Sequence, residues 1–198
     1  YVKANASLLT PEDIQKPEQT LDMWRGVITS KFEIEGNPVK VTTVCHPQLD
    51  LLAVRIESKL VASGRLGVRI AFPRGHDIAT KNTPTLDWSN PGIHETEIIR
   101  PGPGWAWLQR KVLDARYQVV VAWGLGGRFS ETKLHEFKIA STNLEPVLEF
   151  TVAFDPGPDR PSMWSTVEAT ATASEERWKE FWSKGAAVDF SGSTDPRA

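Results

Sequence analysis

The chain alternates. Through most of its length apolar residues sit at every second position, and the exceptions fall at turn signals. Ile28, Phe32 and Ile34 alternate with Thr29, Lys31 and Glu33. Val39, Val41, Thr43 and Cys45 alternate with Lys40 and Thr42, between the turn signal at residues 35–38 and Pro47. Leu52, Val54 and Ile56 follow the same rule, as do Val68, Ile70 and Phe72 after Ser63 and Gly64. A period of two puts one set of side chains on a buried face and the other in water, which predicts half-buried strands in antiparallel hairpins. Residues 74–91 break the rhythm with Gly75, Pro84 and Pro91, and predict a long loop. Strands resume at residues 93–100 and 105–112, around the turn PGPG, and at 117–123. After the glycine turn at 124–127, Leu134, Phe137 and Ile139 and then Leu148, Phe150, Val152 and Phe154 close the series. At least nine strands and no earlier helix predict an all-β fold: a large antiparallel two-sheet β-sandwich with one C-terminal linker helix. A closed barrel is the competing architecture.

The period changes once. Val167, Ala171, Ser174, Trp178 and Phe181 with Trp182 recur at helical spacing. Ser165 and Glu168 have capping-box spacing, and Lys184 with Gly185 suits the other end, with Gly185 expected at positive φ. Two Trp and one Phe within five residues expect this helix to meet a neighbour. The organisation read from these patterns is a lead-in at 1–20, extended or poorly ordered, a sandwich at 21–160, a linker helix at 161–185 and, at 186–198, the start of a connection to a further domain.

Composition narrows the partners. The chain has 198 residues, 40% hydrophobic and 24% charged, with a net charge of −2. That balance offers no electrostatic case for nucleic acid or an anionic membrane, and no apolar run is long enough to span a bilayer. Cys45 is the single cysteine and has no internal disulfide partner; its register predicts a small buried hydrophobe. Asn5-Ala6-Ser7 has the form of a glycosylation sequon.

Little in the chain carries chemistry by itself. Asp50, Asp87, Glu95 and Glu97 lie near loops or strand ends, and Glu95 and Glu97 share a strand face with Cα atoms about 7 Å apart. Their expected role is a solvated outer face. His46, His76, His94 and His135 show no metal-ligand spacing, so neither metal nor cofactor is expected. Trp88, Trp105 and Trp107 are the candidate carbohydrate-binding residues, against the reading that they fill the core or a domain seam. Trp178, Phe181 and Trp182 are the candidate domain-interface residues.

Two groups of segments carry a resemblance. The first is LDMWRG at 21–26 through SKF at 30–32, VKVTTVCHP at 39–47 and RIES at 55–58. The second is RWKEFW at 177–182, GAAVDFS at 185–191 and DPRA at 195–198. Together they resemble the N-terminal β-sandwich, a galactose-mutarotase-like supersandwich, and the connector of six-hairpin glycosidase-like enzymes. The resemblance implies a parent carbohydrate-active enzyme whose catalytic carboxylates lie in a C-terminal (α/α)6 barrel, outside this sequence. It therefore implies a non-catalytic domain that packs on and supports that barrel, with no catalytic residue here and an oligosaccharide as a possible ligand near its loops. A secreted or periplasmic parent is compatible with it. Two other functions remain open from the sequence: a free-standing carbohydrate-binding module built on Trp88, Trp105 and Trp107, and a mutarotase-like enzyme that joins a histidine to a carboxylate in one concave face.

Overall fold

A computed structural model describes residues 1–5, 9–75, 87–124, 126–157, 165–185, 188 and 190–195. The long-loop expectation at 74–91, the sequon, His76, the start of the linker helix expected at 161–185 and the final tail fall partly or wholly outside them. Among the described residues eleven strands form two antiparallel sheets. The first strands are β1 (Ile14–Asp22), β2 (Val27–Ile34), β3 (Asn37–Cys45), β4 (Leu51–Glu57) and β5 (Gly67–Ala71). The others are β6 (His94–Gly102), β7 (Trp105–Val112), β8 (Ala115–Trp123), β9 (Gly127–Lys133), β10 (Glu136–Ser141) and β11 (Val147–Asp155). The larger sheet has the order β1-β2-β3-β4-β11-β8-β7-β6, and the smaller β5-β10-β9. The fold is an all-β sandwich with one long C-terminal helix.

The main core lies between the sheets. Val39, Val54, Ile56, Leu108, Val119, Val121, Leu148, Phe150 and Val152 from the large sheet meet Phe137 and Ile139 from the small one. Burying side chains of this size stabilises by about 1.5–3 kcal/mol each. Phe129 stacks between Trp123 and Phe137, with ring centroids 5.2 Å from each.

A second layer of burial lies on the opposite face. Helix α2 (Val167–Lys184) crosses the outer side of β11, β4 and β3. Leu51, Ala53, Val120 and Ala153 form a small apolar floor beneath it, with Val167 packed on top. The small residues Thr170 and Ser174 are its buried positions, which lets the helix lie close to the sheet. The centre of the large sheet is therefore covered on both sides, and β8 buries Gln118, Val119, Val120 and Val121 in succession. Beyond the helix, the same outer face carries cross-strand charges. Glu18 meets Lys31, Lys40 meets Glu57, and Arg55 joins Glu57 to Glu149.

Several local expectations are corrected. Residues 14–20 of the extended lead-in belong to β1; all nine residues of that edge strand are exposed, so no apolar alternation marks it. A four-residue helix, α1 (Lys59–Ala62), capped by Ser58, precedes the final one. Strand β9 was not anticipated, since Phe129 is its single large apolar residue. Cys45 is exposed, not buried. It ends β3 past the cover of the smaller sheet, while Val44, on the opposite face, is buried. The cap of α2 is Thr166, whose hydroxyl accepts from the Ala169 N–H at 3.1 Å; Ser165 instead accepts from the Thr170 hydroxyl. Gly185 has φ −90°, so the positive φ expected of it is absent.

Candidate functional site

The far end of α2 meets the turn between β1 and β2, and the meeting is built by backbone constraints. Asp22 starts the turn: its carboxylate accepts from the N–H groups of Trp24 and Arg25 at 3.0 and 3.2 Å. Its carbonyl accepts from the Gly26 N–H at 2.8 Å. Gly26 takes φ +65°, where an L side chain is strained. It also lies against the helix. A Cβ added there would stand 2.2 Å from Nε1 of Trp178 and 2.6 Å from Oγ of Ser174.

Hydrogen bonds lock the two elements together. The Ser174 hydroxyl donates to the Arg25 carbonyl at 2.9 Å. The Trp182 indole N–H donates to the Met23 carbonyl at 2.8 Å. Arg25 pairs with Glu175 at 3.2 Å, and Lys179 with the same carboxylate at 2.7 Å. Lys179 first, and then Arg25, hold Glu175 below the usual carboxylate range.

The rings of this corner pack on one another and remain open to solvent. Trp182 has centroids 6.1 Å from Trp24, 6.0 Å from Trp178 and 5.0 Å from Phe181. Trp24 is 59% exposed, Met23 53%, Phe181 45% and Trp178 37%. Together they present on the order of 400 Å² of apolar surface, in the range that marks interaction sites on soluble proteins. Charged groups rim the helix side, including the pair Lys184–Glu180 at 2.6 Å. An apolar centre with a charged rim is the anatomy of a protein interface.

The interface candidates Trp178, Phe181 and Trp182 therefore stand together, joined by Trp24 and Met23. Those two were not among the sequence candidates. They are more than 150 positions from Trp178, Phe181 and Trp182, and only the fold brings them there.

The three carbohydrate candidates are not brought together. Trp105 and Trp107 share the outer face of β7 and are half-buried, and the Trp107 indole donates to the Gln118 side chain at 2.7 Å. Trp88 is exposed at the small sheet, with the Arg69 guanidinium 5.8 Å from its ring centre.

The acidic candidates are solvated or paired. Asp87 pairs with Arg74 at 2.9 Å and Glu95 with Lys111 at 2.9 Å. Glu95 and Glu97 face solvent on β6. Serine contacts from Ser89, then Arg74, keep the Asp87 carboxyl below its ordinary range. An open concavity of about 300 Å³ is lined by Arg55, Ser141, Asn143, Glu145 and Glu149. Its Arg55 is occupied by Glu57 and Glu149, and the first of these raises the Arg55 pKa most. His94 and His135 stack at 3.9 Å inside the sandwich, while His46 accepts two backbone N–H groups in the loop after β3. Among the described residues no three His, Cys, Asp or Glu side chains converge as a metal site, and no helix is long and apolar enough to cross a membrane.

No family model matches the chain, and no curated protein matches it. Solved structures do. A protein described as a kojibiose phosphorylase from the human microbiome superposes with a TM-score of 0.52 at 11% identity, over 85% of this chain and 25% of that one. The family GH92 alpha-mannosidase from Bacteroides thetaiotaomicron matches with a TM-score of 0.34 at 8% identity, over 91% of this chain and 26% of that one. At such identities the likeness is one of fold. The chain spans about a quarter of the length of these two solved structures.

Proposed function

We propose that this chain is the non-catalytic N-terminal β-sandwich of a multidomain six-hairpin glycosidase-like enzyme, and that it supports an (α/α)6 catalytic domain. The observation that carries this reading is the corner formed by Trp24, Trp178, Phe181 and Trp182. Its rings are fixed from behind by hydrogen bonds to the β1–β2 turn and left uncovered in front. It lies at the C-terminal end of the helix that follows the last strand. The partial likeness to a described phosphorylase of far greater length supports a larger parent. The rest of the outer sheet face suits docking less well, because its charges already pair across the strands.

Two other readings have less support. A carbohydrate-binding module would need Trp88, Trp105 and Trp107 on one platform, and they lie on different surfaces. A mutarotase-like enzyme would need a histidine beside a carboxylate in an open hollow. His94 and His135 are instead buried, and their side chains hydrogen-bond Arg110, Thr96 and the Pro91 carbonyl.

The test is a binding titration between this chain and the separately expressed remainder of its parent. Binding should weaken by about a hundredfold in Trp24→Ala with Phe181→Ala, the loss typical of central aromatic anchors. Equal binding by the double variant would refute the assignment of this corner. Glycoside turnover by the 198-residue chain alone would refute the non-catalytic role.

A further inference from the structure

One buried charge in the sandwich has no obvious counterweight. Arg110, on the inner face of β7, is 0% exposed. Among the described residues no carboxylate pairs with it. Its guanidinium is satisfied by neutral acceptors. One terminal nitrogen, Nη1, shares its two hydrogens among three acceptors: Nδ1 of His94 at 2.9 Å, the Glu95 carbonyl at 2.9 Å and the Thr96 hydroxyl. The other, Nη2, donates to the Pro73 carbonyl at 3.3 Å. Nε lies 3.4 Å from the Tyr117 hydroxyl, and the guanidinium carbon sits 4.8 Å from the centre of the Phe72 ring. Among the described residues this buried cation is held by neutral groups, and such a cation disfavours a proton on whatever faces it, since a second positive charge there would be uncompensated.

What faces it is an imidazole pair. Nδ1 of His94 must be an acceptor, because a guanidinium nitrogen has no lone pair to offer. The His94 ring stacks on that of His135 with centroids 3.9 Å apart. His135 has its Nε2 2.8 Å from the Pro91 carbonyl, which can only accept, so the proton sits on Nε2. Nδ1 of His135 then accepts from the Thr96 hydroxyl at 2.7 Å, and that hydroxyl accepts from Arg110. Each member of the chain is held in one donor–acceptor state. The backbone agrees: His135 occupies the left-handed region at φ 62°, and its carbonyl accepts from the Phe72 N–H at 3.1 Å.

The elements joined this way belong to different sheets. His94 and Thr96 lie on β6, the edge of the large sheet, and Arg110 on β7. His135 is in the turn from β9 to β10, in the small sheet. Among the described residues, the other charged groups around the network are Arg74, paired with Asp87 where β5 leaves the small sheet, and Lys133 and Glu136 beside His135 in sequence. Glu95 and Lys111 pair on the opposite, outer face. The positive groups facing the imidazoles are thus Arg110 and Arg74.

We propose that His94, His135 and Arg110 form an acid-sensitive clasp between the two sheets, closed while His94 is neutral and opened when it gains a proton. A proton on Nδ1 of His94 would set a donor against the guanidinium donor and a charge beside a charge. Burial first, then His135, Arg110 and Arg74, lower the His94 pKa from 6.5 to about 4. The unfolded or unclasped chain therefore binds more protons than the closed one between those values. The clasp is fully stable above the ordinary histidine pKa. It loses up to about tenfold in its closing equilibrium for each pH unit below it, until about pH 4.

The test uses the intact chain. Imidazole C–H resonances are followed by NMR from pH 7.5 to 4, with amide exchange at Phe72 compared with the central β4–β11 ladder after correction for intrinsic rates. The expected result is that His94 stays neutral below pH 5, and that by pH 4.5 protection at Phe72 falls at least tenfold more than in the central ladder. In His94→Asn, whose side-chain oxygen replaces the acceptor but does not titrate, this excess loss should disappear. Titration of His94 near 6.5, or exchange at Phe72 that follows the central ladder at every pH, would overturn the clasp. So would an undiminished acid effect in His94→Asn. If that variant does not fold, the wild-type titration and exchange decide alone.

Discussion

Replacing Gly26 with alanine tests how the aromatic corner is built. Two effects add at this position. The backbone at φ +65° disfavours any L residue by about 1–2 kcal/mol. The new Cβ would also stand 2.2 Å from Nε1 and 2.4 Å from Cδ1 of Trp178, and 2.6 Å from Oγ of Ser174. These contacts are too short to survive, so the helix end must move away from the turn. That movement breaks the Ser174–Arg25 and Trp182–Met23 hydrogen bonds, each with a net contribution of about 1 kcal/mol. The expected loss is about 3–4 kcal/mol, or roughly 6–15 °C in Tm for a chain of this size. Gly36→Ala is the matched control. Gly36 has φ +72° in the β2–β3 turn, but nothing lies within 4 Å of an added Cβ. It should lose only the conformational part, about 1 kcal/mol. Urea unfolding of both variants gives the comparison, with tryptophan emission reporting the corner directly. If Gly26→Ala is no more destabilising than Gly36→Ala, the close packing of the turn on Trp178 is refuted.

Other outcomes follow from single contacts. Thr166→Ala should lower stability by about 1 kcal/mol through loss of the helix cap, and Ser165→Ala by less; the reverse order, in urea unfolding, would restore the Ser165 cap. Trp182→Phe should remove the bond to the Met23 carbonyl and cost about 0.5–1 kcal/mol, seen as a shift in the midpoint without a change in slope. Trp24→Ser with Phe181→Ser should change stability by under about 1 kcal/mol, since both side chains are largely exposed. The same pair should reduce any concentration-dependent association of the isolated chain in sedimentation velocity.

The strands most legible in the sequence were those with one wet and one dry face. Ile28 to Ile34 and Leu52 to Ile56 fell into place by their period alone. The exposed edge strand β1 was hidden, because Gln15, Lys16, Glu18 and Gln19 have no buried face to reveal. Strand β9 was nearly silent for want of apolar residues beyond Phe129. Cys45 keeps the inward register of Val39 and Val41 but ends β3 past the cover of the smaller sheet, so alternation alone does not bury it. On the other face α2 covers β3, β4 and β11, where Val44 is buried. The run Val119-Val120-Val121 carried a signal for that third layer, since two-sided burial produces continuous apolar stretches. The helical face of α2 was legible through Val167, Ala171, Ser174 and Trp178. The pairing of Trp182 with Met23 and Trp24 was not, because no local pattern links a hairpin turn to a helix so distant in the chain. The His94–Arg110–His135 network stayed hidden for the same reason.

The central claim is that the face made by Trp24, Trp178, Phe181 and Trp182 is a docking surface for another part of the parent enzyme. Hydrogen–deuterium exchange of the full-length gene product against the 198-residue chain measures this directly. Peptides over the β1–β2 turn and the last two turns of α2 should be protected in the longer protein, while the paired charges of the outer sheet face should exchange alike in both. Equal exchange at the aromatic corner in the two proteins, with protection appearing on another surface of the sandwich, would contradict the account.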